Sequence, residues 1–142
     1  MSKQETGTKK KQRRAPERNQ ESALSAAYSL TQKVSSLGFD WPKLEGVLEK
    51  LEEEFAEFKD ALSLKSRKRM EEELGDLLFV MVNISRFLKI DPERALRKTI
   101  RKFQFRFRYV EMGLRKKGKT FQQSNLAEMD HLWEEAKKKK NP

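Results

Sequence analysis

The chain has no cysteine, one histidine, six glycines and four prolines. Without cysteine, a disulfide framework and a thiolate metal site are both excluded. Few helix breakers, beside a 38% charged and 36% hydrophobic composition, point to an all-helical protein. No apolar run approaches the roughly 18 residues that a membrane span requires. The N-terminus is basic and polar with no apolar stretch of the kind a secretory signal carries. A cytoplasmic protein without membrane contact is the resulting expectation.

What is abundant is charge, and it is unevenly placed. The formal net charge is +10 over 142 residues, a length that suits one domain. Residues 1–20 hold seven Lys or Arg against Glu5 and Glu17. They show no apolar periodicity and read as a basic, disordered leader. With the terminal run Lys137–Lys140 they would attract nucleic acid at most non-specifically, and a solubilising role is the plainer reading. Between these ends, residues 45–76 are acid-rich, whereas residues 94–119 contain eleven Lys or Arg and one Glu.

From residue 21 to 140 the pattern is helical. A first helix ends at Gly38, a natural C-terminal stop. A second opens near Asp40 and Pro42 and carries Leu44, Leu48, Leu51, Phe55, Phe58 and Leu62 in a strict 4-3-4-3-4 spacing. A third, from about Ser66 to Leu88, repeats that spacing with Met70, Leu74, Leu77, Met81, Ile84 and Leu88. A fourth begins at Asp91-Pro92 and repeats it with Leu96, Ile100, Phe103, Phe107, Val110 and Leu114. A shorter fifth starts near Asn125, where Asn125 and Glu128 suit a capping box. Three long helices with one repeat and short links describe an antiparallel bundle of four to five helices, with the repeated stripes as its core.

Charged residues sit beside those stripes. Glu54 and Glu57 immediately precede Phe55 and Phe58, and Glu73 and Asp76 immediately precede Leu74 and Leu77. Residues three apart share a helix face, so each pair can reach one ion together. A solvated face is the commonest origin of such spacing. The matched placement on two helices is what favours a shared site. Four converging carboxylates repel unless a cation neutralises them. All-oxygen donors suit Mg²⁺, or Mn²⁺ in its place, rather than zinc. Lys102 and Arg106 precede Phe103 and Phe107 in the same way, so base would hold phosphates where acid holds the metal. Glu128-x-x-His131 is half of a carboxylate-bridged di-iron motif, but two such motifs are needed and the chain has a single histidine.

The segments GFDWP (38–42), EEEFAE (52–57), EEELGDLLFVMVNISR (71–86) and KFQFRFRYVE (102–111) together resemble the MazG family of nucleoside triphosphate pyrophosphohydrolases. The resemblance covers about residues 22–140 and is nearest to the C-terminal half of two-domain MazG proteins. It implies an all-α enzyme that cleaves the α/β phosphoanhydride of a (d)NTP to a nucleoside monophosphate and pyrophosphate. Carried over by position, Glu54, Glu57, Glu73 and Asp76 become metal ligands, and Glu53 a candidate to orient the attacking water. Lys102 and Arg106 would bind the triphosphate, Trp133 and Lys137 would lie near the nucleotide, and Asn83 would face sugar or phosphate. Ile100 stands where the family commonly has Asn, which touches substrate preference. A lone domain of this type implies a homodimer or a dimer of dimers, with Phe105, Tyr109 and Met112 as a candidate interface. Two alternatives accompany this reading. One is a basic helical nucleic-acid-binding or scaffold protein without catalysis, and the other a same-fold enzyme restricted to dUTP or dCTP.

Overall fold

The computed structural model describes residues 21–140, and the basic leader expected at 1–20 lies outside the described residues. The elements are α1 (Ala23–Ser36), α2 (Leu44–Ser63), α3 (Arg67–Phe87), α4 (Pro92–Lys116), a 3-10 helix (Phe121–Gln123) and α5 (Leu126–Lys137). There is no strand among the described residues.

Most boundaries follow local chemistry. Ser22, Ser66 and Asn125 each accept a hydrogen bond from a backbone N–H in the first turn of the helix they precede. Asp91 accepts from the N–H groups of Glu93 and Arg94, with Pro92 as the first helical residue. After α1, Gly38 takes φ 92° and lets the Phe39 N–H turn back to the Val34 carbonyl. Two expectations are corrected. Asp40 does not start α2, whose cap is Lys43 without a side-chain bond. Glu128 does not return to Asn125; the capping box is instead Thr120 with Gln123, one element earlier.

Helices α2 and α3 form a hairpin through Leu64–Ser66, with Lys65 in the left-handed region at φ 52°. Helix α1 lies on α3 and touches α4, and α4 packs on α5. Among the described residues α4 has no extended contact with α2 or α3. The bundle is therefore open along one side.

That openness overturns the expected core. The residues buried on α2 are Val47, Glu54 and Ala61, and on α3 they include Glu73 and Val80. These positions are one step off the apolar stripes. Leu48, Phe55 and Leu62 of α2, Leu74 and Met81 of α3 with Leu88 just after it, and Leu96, Ile100, Phe103 and Phe107 of α4 are exposed, whereas Leu44, Leu51, Phe58, Met70, Leu77 and Ile84 of the α2 and α3 stripes are half-buried. The fully buried apolar positions of the hairpin include the smaller Val47, Ala61 and Val80, and every second member of the bulkier stripes is left facing outward. The end of the α4 stripe behaves as expected: Val110 and Leu114 are buried against Leu132 of α5, flanked by Phe121, Met129 and Trp133. Tyr109, expected on an interface stripe, packs into this cluster and its hydroxyl donates to Glu135 at 3.2 Å. Of that stripe Met112 is exposed and Phe105 half-buried.

Gly113 faces Leu132 so closely that a Cβ there would lie 2.6 Å from Leu132 Cδ2. Gly113→Val should therefore lower unfolding stability by about 1–3 kcal/mol through overpacking. Urea denaturation followed by circular dichroism checks this, with helical content in the absence of denaturant expected to be unchanged.

Candidate metal centre

Because α2 and α3 meet through the faces one step off their stripes, their acidic residues are brought between them. Carboxylate oxygens of Glu54, Glu57 and Glu73 lie within 4.8 Å of one another. Glu54 and Glu73 are buried, and Glu57 is half-buried. Asp76 is exposed and lies beyond that trio, yet its charge bears on Glu73. One turn of helix separates the members of each pair, so four acids share one mouth of the hairpin.

The electrostatics of this group are unfavourable as they stand. Oε2 of Glu54 and Oε2 of Glu73 are buried without a hydrogen-bond partner. Burial first, then the carboxylate of Glu57, then Asp76 and Glu54, push the pKa of Glu73 above the ordinary glutamate value. Such a group calls for a cation, and its donors are all hard carboxylate oxygens. The residues present fit a divalent metal ion.

Two cations from the same helices offset part of this charge. Lys50 Nζ bridges Glu54 and Glu53, at 3.1 Å from the latter, and Glu54 foremost raises its pKa above the ordinary lysine value. Arg69 Nη2 stands 3.9 Å from Glu73 Oε1. Lys50–Glu54 and Arg69–Glu73 are both i,i+4 pairs, a spacing visible in the sequence. Glu53 is exposed and tied to Lys50, outside the trio.

The basic and aromatic candidates lie elsewhere. Lys102 is exposed on α4. The Arg106 guanidinium sits 5.8 Å above the Trp133 ring, which itself tilts against Phe103 at 4.9 Å. Lys137 pairs with Glu134 at 2.6 Å. Helices α4 and α5, which carry these four residues, make no extended contact with the α2–α3 hairpin among the described residues. Glu128 is held near a pKa of about 2 by the Ser124 hydroxyl and by Lys119 and Lys117, so it pins α5 to the preceding loop.

A second polar cluster, unforeseen except for Asn83, lies farther along α3. Arg86 donates from both terminal nitrogens to the two oxygens of Asp40, each at 2.7 Å, and from Nη2 to Asn83 Oδ1 at 3.0 Å. Ser35 and the Trp41 N–H also donate to Asp40. The guanidinium above all holds the Asp40 carboxyl well below its usual range, at about 2. These partners are 46 residues apart, so no local pattern announces the pair.

Residues 43–110 match the MazG nucleotide pyrophosphohydrolase domain. The chain is 46% identical to the nucleoside triphosphate pyrophosphohydrolase/pyrophosphatase MazG of Thermotoga maritima over 94% of its own length and 51% of that protein's. It is 35% identical to the nucleoside triphosphate pyrophosphohydrolase of Escherichia coli K12 over 82% of its length and 45% of that protein's. The chain thus spans about half the length of these curated relatives.

Two outcomes follow from the electrostatics. A raised pKa means that ionising Glu73 opposes folding as pH climbs past the ordinary glutamate range. In EDTA at pH 7, Glu73→Gln should therefore melt above the parent protein by scanning calorimetry, and it should lose most of the rise in melting temperature that Mg²⁺ or Mn²⁺ gives the parent. Asp40 has the opposite sign: its lowered pKa stabilises the fold above about pH 4, and that stabilisation fades as pH falls toward 2. Asp40→Asn should cost about 2 kcal/mol at pH 7, and its denaturation curve should converge on the parent's near pH 2.

Proposed function

The chain carries a domain of the MazG nucleotide pyrophosphohydrolase family, and from that premise we propose that it hydrolyses nucleoside triphosphates between the α and β phosphates, using Mg²⁺ with Mn²⁺ as a substitute. One observation carries this reading: two buried carboxylate oxygens, from facing helices, point into one acidic group with no partner. A solvated helix face would leave such oxygens in water.

Glu54, Glu57, Glu73 and Asp76 would hold the ion. When bound, the ion supplies positive charge to the phosphates and acidifies water. Glu57, half-buried and close to both Glu54 and Glu73, is better placed than Glu53 to accept the proton of the attacking water. Glu53 instead helps Lys50 set the orientation of Glu54. Lys102 and Arg106 would neutralise the triphosphate, with Trp133 and Lys137 nearby, and a second copy of the chain would supply them, since α4 makes no extended contact with its own hairpin. The many exposed large apolar residues of α2, α3 and α4 support that arrangement, since association would cover them. A homodimer, alone or doubled, would bury them and seat α4 of one chain over the hairpin of the other.

Purified protein with Mg²⁺ should release pyrophosphate from at least one of the eight common NTPs and dNTPs, and EDTA should stop the release. Glu73→Gln and Asp76→Asn should each lower the rate by about a hundredfold or more. A panel with no product from any of the eight ends the proposal; activity confined to dUTP or dCTP narrows it. Light scattering should give a mass of at least twice 16.8 kDa, and Phe55→Asp should reduce it.

A further inference from the structure

The apolar stripe of α4 has a counterpart on the far side of the same helix. Arg94, Lys98, Arg101, Arg108 and Arg115 follow the same alternation of four and three residues, with Phe105 and Met112 at the two intervening places. This row runs two residues out of step with the apolar stripe, an offset of about 200° around a helix. We infer that this face binds nucleic acid, its guanidinium groups lying along the phosphodiester backbone.

The charge on the row is not used within the chain. All five basic side chains are exposed, and none forms an ion pair among the described residues. Their neighbours differ: Arg97 pairs with Glu93, and Lys117 and Lys119 pair with Glu128. Glu111 stands three residues after Arg108 and four before Arg115, yet pairs with neither. A solvated helix face laced with salt bridges alternates acid and base, and this face does not. Like charges three and four residues apart destabilise a helix, so Arg94, Lys98 and Arg101 work against α4. A polyanion offsets that repulsion.

The shape of the row selects the polyanion. An arginine recurs at every seven-residue step, about 10 Å of helix, and the row from Arg94 to Arg115 extends about 32 Å. That length outruns any single nucleotide and suits a continuous strand. At 3.4 Å per nucleotide it spans about nine. Arginine also presents a planar fork that matches phosphate oxygens in pairs, whereas the run Lys137–Lys140 is lysine alone.

Other occupants fit less well. A second copy seated on the apolar stripe leaves this face outside. A membrane surface takes up an apolar stripe and its basic flank together. Here the apolar stripe is bare only as far as Phe107, since α5 covers Val110 and Leu114, yet the arginines continue to Arg115. A strand needs only the row itself, and Met112 offers an unstacked base an exposed apolar surface.

The test is fluorescence anisotropy with labelled oligo(dT), oligo(U) and a DNA duplex, each of about 20 nucleotides per strand, in EDTA from about 50 to about 200 mM salt. At least one should bind. In Arg101→Gln/Arg108→Gln/Arg115→Gln the fall of log affinity with log salt should be shallower by about two, and affinity at the lowest salt should drop about tenfold or more. Lys138→Gln/Lys139→Gln/Lys140→Gln removes the same charge beyond α5 and should change affinity by less than about threefold. If the arginine triple variant does not fold, Arg101→Gln alone should make the slope shallower by about 0.7. No binding of any strand at the lowest salt overturns the inference. So does binding that the arginine variant weakens no more than the lysine variant, which is attraction by net charge alone. Capture by phosphatidylserine vesicles without binding of any strand also overturns it, making the face a membrane contact. A smaller mass by light scattering in the arginine variant does the same, making it a contact between copies.

Discussion

Everything else in this structure is arranged around carboxylates held out of water between two helices. Placing Glu54 and Glu73 at the α2–α3 contact costs desolvation that their mutual repulsion enlarges. Lys50 and Arg69 return part of that cost from the outer edge, and neither reaches the two orphaned inner oxygens. The remaining imbalance is what a divalent ion would relieve. A fold governed only by burial of apolar area would have rotated both helices by one residue and put leucine there instead.

That rotation explains the outer surface. With the acidic faces inward, every second residue of the apolar stripes of α2 and α3 is left exposed and the others are only half-buried. Helix α4 leaves its own first half bare as well, because α5 covers only the end around Val110 and Leu114. The chain therefore presents two partly separate bodies, an acidic hairpin and a basic α4–α5 pair. The proposed homodimer would set one chain's acidic hairpin against the other's basic pair.

Helix α3 links the two polar clusters. Its first half supplies Glu73 and Asp76, and its second half supplies Asn83 and Arg86. The Asp40–Arg86 pair fastens the segment between α1 and α2 to α3, with both partners mostly buried and both carboxylate oxygens engaged. Gly38, in the left-handed region, permits the sharp turn that delivers Phe39, Asp40 and Trp41 to that place.

How much of this was legible beforehand divides along a physical line. Local signals set the helix ends: Ser66, Asp91-Pro92, Asn125 and Gly38 act within one turn of the backbone, and the structure uses each of them. The i,i+3 acids were likewise legible, because helical geometry alone places Glu54 by Glu57 and Glu73 by Asp76. Which face turns inward was not. A seven-residue apolar repeat says that a stripe needs a partner, without saying whether the partner belongs to the same chain. The stripes were expected in the core, and the structure leaves half of the α2 and α3 members exposed while it buries Glu54, Glu73 and Asn83. Nor could spacing show that Asp40 would leave α2 to pair with Arg86, or that α4 would make no extended contact with the hairpin. The sequence by itself determined the helices and the acidic pairs, since both arise from neighbours within a few residues. The tertiary structure decided the rotation of each helix and the meeting of distant charges, since both depend on what packs against what.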